Sequence, residues 1–292
     1  MMSDTAVVFV NYMSERLVAP RAEALIDHGL DVFVVDNSGT YAGRGDVEDP
    51  GLNLGFGAAC NRALARLGAD HRCLVLHNPD VEATPSQVVA LAAALGSQQR
   101  PGALAPSLMT RSGPRPRGYH YPSVAHEAVV SVRGGGHEAG ARARLKGVRD
   151  SLPSRRFGSG ALIAVNARAL EAIGGFDERF FLYVEDCDLW HRLRLAGRDT
   201  AFATDIVVDH QGKSSGGMEP GPREILRCVG VELFAQKHRR TGWRVYRALH
   251  EVGIRRLVAS GEGLASDVAA LWRTGLDPIS VAAEIRERLV TR

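Results

Sequence analysis

No apolar run in this chain approaches the roughly 20 residues of a membrane helix, and the N-terminus lacks the basic region and long apolar segment of a signal peptide. A cytoplasmic protein is therefore the expectation. The four cysteines, Cys60, Cys73, Cys187 and Cys228, contain no CxxC pair, which argues against both a disulfide framework and a cysteine zinc site. Reduced thiols are expected. Surplus charge is missing too: the formal net charge is +3, too small to point to nucleic acid as a partner. Internal repeats are absent.

What is present is apolar material, 45% of 292 residues, enough for one large core or for one core with a smaller appendage. The charge is unevenly spread. From Arg111 to Arg156 there are nine arginines and Lys146 against Glu127, Glu138 and Asp150, with Gly134, Gly135 and Gly136 in the middle. Such a segment reads as a solvated loop, or as a lid that closes over an anionic ligand such as a diphosphate.

Along the chain, β-branched runs alternate with helical patterns. Ala6 to Val10 is a strand that ends at Asn11, followed by a helix to about His28 that stops at Gly29. Asp31 to Val35 is a second strand, closed by Asp36 and Asn37. A glycine-containing turn at Asn53 feeds a helix through Gly57 and Asn61, and "CLVLHNPD" is a third strand that ends at Asn78 and Asp80. This order predicts a parallel sheet with crossover helices, in which ligands bind at the carboxyl ends of the strands. Three strands thus deliver polar side chains to one edge. Further on, Ala161 to Val165 is a strand, Asn166 caps a short helix, and Gly174 with Gly175 stops it. Another β-branched run ends at His210, and from Pro220 onward the pattern is amphipathic helix with basic clusters "KHRR" and "IRR". That last segment is expected to pack on the core or to contact a partner, with an anionic membrane surface as the alternative.

The stretch "FFLYVEDCDLWHRLRLAG", Phe180 to Gly197, follows helix grammar: acids at the start, Arg192 and Arg194 later, and Gly197 as C-terminal cap. Leu189, Leu193 and Ala196 share a face, and Asp188 with Arg192 makes an i,i+4 pair. The aromatic lead-in of Phe180, Phe181 and Tyr183 adds something. Carboxylates held among aromatic residues lose hydration, which raises their proton affinity and suits one of Glu185, Asp186 and Asp188 to act as a base. Asp80 and His210, each at a strand end, are a donor set for manganese or magnesium with water in the remaining positions.

Six segments in register, "VNY" at Val10, "VVDNS" at Val34, "NLGFGAACNRAL" at Asn53, "HNPDV" at His77, the run from Gly158 to Gly197, and "VVDHQGKSSG" at Val207, resemble a family 2 glycosyltransferase, closest in style to rhamnosyltransferase-like members. The resemblance implies an α/β fold of GT-A type, a Rossmann-like and mostly parallel central sheet flanked by helices, with a helical C-terminal extension. It implies a catalytic domain over 1–217, made of a nucleotide-binding half at 1–105, an Arg/Gly-rich loop region at 107–157 and an acceptor half at 158–217, followed by the extension at 218–292. Asp36 and Asn37, with Asn11 nearby, would contact the donor's base and ribose. Asn53, Gly57 and Asn61 would line the nucleotide pocket, and Asn78 with Asp80 would stand where the family keeps its DxD motif. Asp80 and His210 would hold a divalent cation, Mn2+ or Mg2+, on the donor diphosphate. Asp186 would be the base, with Glu185 beside it.

The implied partners are a nucleotide-sugar donor, dTDP-rhamnose or a relative, and a hydroxyl acceptor on a lipid-linked glycan, a polymer or a small aglycone. Peripheral contact with the inner face of the membrane would run through the C-terminal helices. Two departures stand out: Asn78 replaces the first acid of DxD, and Gly39 with Thr40 follows "DNS" where the family often carries another acid. Competing readings are a sugar nucleotidyltransferase, a silent glycan-binding protein and a metal-dependent hydrolase. The first is disfavoured because "NYMSERLV" lacks the glycine-rich phosphate loop of such enzymes.

Overall fold

The computed structural model describes residues 4–111, 113–122, 156–210, 212 and 220–238, with 280, 284 and 287. Most of the Arg/Gly-rich region, the Arg239 and Arg240 end of "KHRR", and "IRR" lie outside the described residues. Two compact units are distinguished, one within 1–119, 156–181 and 185–217, the other within 120–155, 182–184 and 218–292.

The first unit is built on a sheet whose opening half follows the sequence closely. Strands β1 (Thr5–Asn11), β2 (Asp31–Asp36), β3 (Asp46–Glu48) and β4 (Cys73–His77) run parallel in the order β3-β2-β1-β4. The chain steps outward from β1 to β3, then returns to the other side of β1 as β4. That reversal opens a crevice at the carboxyl ends of β1 and β4. The connecting helices are α1 (Glu15–Asp27) and α2 (Phe56–Leu67), and α3 (Pro85–Gly96) follows the two-residue strand β5 (Val81–Glu82). Thr84 and Gln87 close a reciprocal capping box at the start of α3.

The second half of the sheet is mixed. It contains β6 (Pro101–Thr110), β7 (Gly113–Arg115), β10 (Leu162–Asn166) and β11 (Asp199–His210), while β8 (Tyr119–His120) and β9 (Arg156–Phe157) are short strands off this sheet. Strand β10 lies between β4 and β6 and is antiparallel to both, whereas β11 is parallel to β6. A fully buried apolar strand reads the same in either direction, so its sequence does not announce this reversal. Helix α4 (Ala167–Ala172) follows β10 directly, capped by the Asn166 side chain, which accepts from Ala169 N at 2.9 Å. Helix α5 (Glu185–Leu195) precedes β11.

The core lies on both faces of the sheet. Val7, Phe9, Val32, Val34 and Val75 pack with Val18, Ala22 and Leu25 of α1 and with Val88, Leu91 and Leu95 of α3. Alternate residues Val8, Phe33, Val35, Leu74, Leu76 and Ile163 are equally buried on the opposite face, as period-2 side-chain direction requires. Cys60, Cys73 and Cys187 are buried free thiols, as expected for reduced cysteines. In the second unit, α6 (Pro220–Lys237) carries Phe234, which stacks on Tyr121 with ring centroids 6.0 Å apart. Among the described residues no helix is long and apolar enough to cross a membrane.

His77 puts an imidazole inside this core. Its ring lies 4.7 Å from that of Phe9, and Nδ1 donates to the Asn78 carbonyl at 2.9 Å, while Nε2 has no hydrogen-bond partner among the described residues. Burial pushes its pKa down to about 4, against the opposing pull of the Asn78 carbonyl. The unfolded chain takes up this proton below about pH 6.5 and the folded chain does not, so acid destabilises the fold through the window between these values by up to about 3 kcal/mol. His77→Leu is expected to flatten the fall in melting temperature between about pH 6.5 and pH 4. Identical pH profiles for the parent and the variant would count against this.

Candidate functional site

Asn11 and Asp36 end neighbouring strands in register and meet at the crevice. Asn11 Nδ2 donates to Asp36 Oδ1 at 2.8 Å, and Asn11 Oδ1 accepts from Ser14 N and Oγ at 3.2 and 3.0 Å. Asp36 also accepts from Ser38 N at 3.1 Å, Ser38 Oγ at 2.9 Å and Tyr41 N at 2.6 Å. Burial alone would raise its proton affinity, but the bonds from Tyr41, Asn11 and Ser38 together outweigh that and hold its pKa below the usual carboxylate value. Asp36 therefore folds the 38–41 loop from inside. Ser38 and Tyr41 were not singled out by the sequence, although an acid followed two residues later by serine is a turn signal.

Asn37 Nδ2 donates to Asn53 Oδ1 and to the Gly55 carbonyl, both at 3.2 Å, and Asn53 Oδ1 also accepts from Gly55 N at 3.0 Å. Asn37 Oδ1 is buried without a partner among the described residues. Gly55 has φ +80°, and a Cβ there would strike the Phe181 carbonyl oxygen, to which Phe56 N donates. Glycine thus allows the start of α2 to meet the aromatic loop in front of α5.

Gly57 and Asn61 serve packing between the two halves. Gly57 is buried against Phe176. Asn61 Oδ1 accepts from Phe176 N at 2.7 Å, its Nδ2 donates to Phe176 O at 2.9 Å, and the same amide donates to Glu178 at 3.0 Å. One side chain thus supplies both backbone bonds that a neighbouring strand would otherwise give to the loop after α4.

Asn78 N donates to Ala161 O at 2.9 Å, and its own carbonyl accepts from Val81 N, so the NPD turn is pinned between β4 and β10. Asp80 is buried, with Oδ2 3.3 Å from His210 Nε2. His210 pairs in register with Val81 on one side and Thr110 on the other. Among the described residues no group of three or more His, Cys, Asp or Glu side chains converges as a metal cluster. One carboxylate and one imidazole fit a hard cation that takes its other ligands from phosphate and water.

Helix α5 opens with Glu185 and Asp186. The two residues before it, Tyr183 and Val184, have φ +69° and +71°. Left-handed conformation is rare for a β-branched residue, and two in succession hold stored strain of about 1–3 kcal/mol each. Asp186 Oδ2 accepts from Gly160 N at 2.8 Å and Oδ1 accepts from Cys187 N at 2.7 Å. Loss of hydration pushes the Asp186 pKa up to about 6, with the Gly160 and Cys187 N–H groups pulling the other way. Glu185 is pushed up further, by burial and then by Asp186, and its Oε2 has no partner among the described residues. Burial thus pushes both acids toward the protonated form.

Helix α5 itself is held as its charge pattern foretells. Asp188 pairs with Arg192 at 2.6 Å, and Arg192 Nη1 donates to Ile173 O at 2.9 Å. Leu189 and Leu193 are buried. Ala196, expected on the same face, is exposed, because the helix ends at Leu195 and Gly197 turns away with φ +70°.

Residues 147–227 match a family model described as Glycosyltransferase like family 2. An N-acetylglucosaminyl-diphospho-decaprenol L-rhamnosyltransferase from Mycobacterium tuberculosis is 32% identical over 219 residues, 66% of this chain and 67% of the relative. Among solved structures, a mannosyltransferase from Pyrobaculum calidifontis in complex with GDP-Man and Mn2+ superposes with a TM-score of 0.52 and 15% identity over 99% of this chain and 85% of that one.

The raised Asp186 pKa makes the ionised side chain unfavourable to the fold. Its stabilising contribution is complete below the unfolded value near 3.8 and is lost as pH rises through about 6. Asp186→Asn is expected to melt higher than the parent by a few degrees at neutral pH, a gain of about 1–2 kcal/mol that shrinks toward pH 4. Calorimetric melts of both proteins across this range check it, and a variant less stable at neutral pH would contradict the burial argument.

Proposed function

Because the chain belongs to the family 2 glycosyltransferases of GT-A fold, we propose that this sugar-transferring enzyme moves a deoxyhexose of rhamnose type from a nucleoside-diphosphate donor to an acceptor hydroxyl, with inversion. The observation that carries the reading is Asp186, a carboxylate at a helix start whose pKa burial pushes up to about 6, oriented by the Gly160 N–H just before β10. The rhamnosyltransferase relative supports the choice of sugar and favours a polyprenyl-diphosphate-linked glycan as acceptor.

In this reading the donor nucleoside lies at the carboxyl ends of β1 and β2. Asn37 Oδ1, a buried acceptor without a partner among the described residues, suits the N3–H of a pyrimidine base. Asp36 acts by shaping the 38–41 loop around that pocket, since its own oxygens are engaged there. Asp80 and His210 would hold the divalent cation, which when bound neutralises the departing diphosphate. Asp186 accepts the acceptor hydroxyl proton as the new C1–O bond forms and the bond from C1 to the phosphate oxygen breaks, its electrons leaving with the nucleoside diphosphate. Glu185 lies beside the base, its proton affinity raised by burial and then by the Asp186 charge. Residues 1–217 carry all of these groups, and 218–292 would form the extension, with peripheral membrane contact as its role.

Asp186→Asn is expected to bind the donor nucleotide normally and to lose transfer by about 10²–10⁴-fold. The parent's kcat/KM should fall below about pH 6 as the base protonates. Near-normal turnover in the variant would remove Asp186 as base. For the donor site, calorimetry of dTDP and UDP with and without Mn2+ should show metal-dependent binding that Asp80→Ala weakens by about tenfold or more. Binding of neither nucleotide by the parent would sink the donor reading.

A further inference from the structure

Strand β6 has two edges. Strand β11 follows one of them from Pro101 to Thr110, while β10 pairs with the other at Ala103 and Leu104, and β7 takes over that same edge at Leu108 to Thr110. Strand β7 therefore continues the line that β10 leaves at its N-terminal end, which is where Gly160 donates to Asp186. Arg115 lies opposite Leu108 at the end of β7 nearest that point. Residues on either side of it are tied to β6: Thr110 Oγ1 donates to Gly113 O at 2.8 Å, and Ser107 Oγ donates to Pro116 O at 3.4 Å.

The Arg115 side chain is also braced. Its guanidinium carbon sits 5.9 Å from the centroid of the Tyr119 ring, and Tyr119 packs against Phe157 with centroids 6.1 Å apart. Tyr119 is close enough to feel both charges: burial raises its proton affinity most, Arg115 lowers it, and Asp186 raises it. Arg115, Tyr119 and Asp186 thus share one neighbourhood. Arg44, Arg62, Arg66, Arg72, Arg100, Arg179 and Arg192 each have a carboxylate within ion-pair distance. Arg115 has none among the described residues, although it is half-buried while Arg111 and Arg117 are exposed.

From this geometry we propose that Arg115, held by Tyr119, is a phosphate-binding residue of the transfer site, placed where β7 continues the line of β10 toward Gly160. A planar guanidinium that is positioned, partly desolvated and lacking a carboxylate suits a phosphate oxyanion, which it grips with two parallel N–H bonds. The inference rests on the transferase reading, in which two phosphates come within range: the leaving diphosphate of the donor and the phosphate that links an acceptor sugar to its carrier.

The test compares the parent with Arg115→Ala, Arg115→Lys, Tyr119→Phe and the exposed control Arg117→Ala. Calorimetry measures binding of dTDP and of inorganic pyrophosphate, each with Mn2+. Initial rates vary the donor, dTDP-rhamnose, and the acceptor, N-acetylglucosamine diphosphate on a short prenyl chain, in turn. Arg115→Ala is expected to weaken one phosphate partner by about 10- to 100-fold, with Arg115→Lys recovering part of the loss. Tyr119→Phe should fall between Arg115→Lys and the parent, and Arg117→Ala should match the parent.

A loss confined to dTDP, pyrophosphate and donor KM assigns Arg115 to the leaving group. A loss confined to acceptor KM assigns it to the acceptor phosphate. Unchanged binding and KM values in Arg115→Ala, with the parent active and the fold intact by its melt, overturn the proposal. A parent that binds no nucleotide and transfers nothing overturns the transferase reading instead.

Discussion

The carboxylate of Asp186 sits between two opposed demands. In the proposed role of base it must lose its proton near neutral pH, yet the apolar surroundings that exclude water favour the protonated acid. The N–H groups of Gly160 and Cys187 and the start of α5 hold the balance at about 6 rather than letting the carboxyl drift as high as Glu185 does. Much of the first unit can be understood as support for that one hydrogen bond. Strand β10 runs antiparallel, so its N-terminal end, with Gly160 just before it, faces the edge where its parallel neighbours end. The pair Asp188 and Arg192 ties α5 to the Ile173 carbonyl, and Asn61 ties the following loop to α2.

Two groups of polar side chains are used differently. At the carboxyl ends of β1 and β2, Asn11, Asp36 and Asn37 are spent largely on each other and on loop backbone. They shape the 38–41 loop and the turn into α2, and among the described residues Asn37 Oδ1 is left without a partner. Near α5 the carboxylates are poorly compensated, and that is what makes their protonation responsive. Preorganised loops fix where substrate lies, and an under-solvated acid supplies the chemistry.

Local features were legible in the sequence because their causes are local. The cap at Asn166, the glycine stop at Gly197, the Asp188 and Arg192 pair, and the polar ends of β1, β2 and β4 follow from spacing alone. The direction of β10 was not legible, since a strand buried on both faces has no pattern that records which way it runs. The bonds of Asn61 were not legible either, since its partners Phe176 and Glu178 are 115 and 117 positions away, beyond any periodicity. Gly160 contributes a backbone N–H, which residue type does not advertise. His77 is apolar in burial and polar in composition, a conflict visible only once Phe9 is seen beside it.

The position of β10 also orders events in time. The parallel set β3-β2-β1-β4 is complete by His77, and β6 by Thr110, but these two blocks touch the same intervening strand, which is synthesised only at Leu162 to Asn166. A nascent chain can close the first block early through nearby contacts, while joining it to the second waits for a strand threaded between them at large sequence separation. In the proposed reading the edge for the donor is thus formed before Asp186 arrives beside it, so the chain holds half a site, without the group that would take the proton, until the last strands are in place.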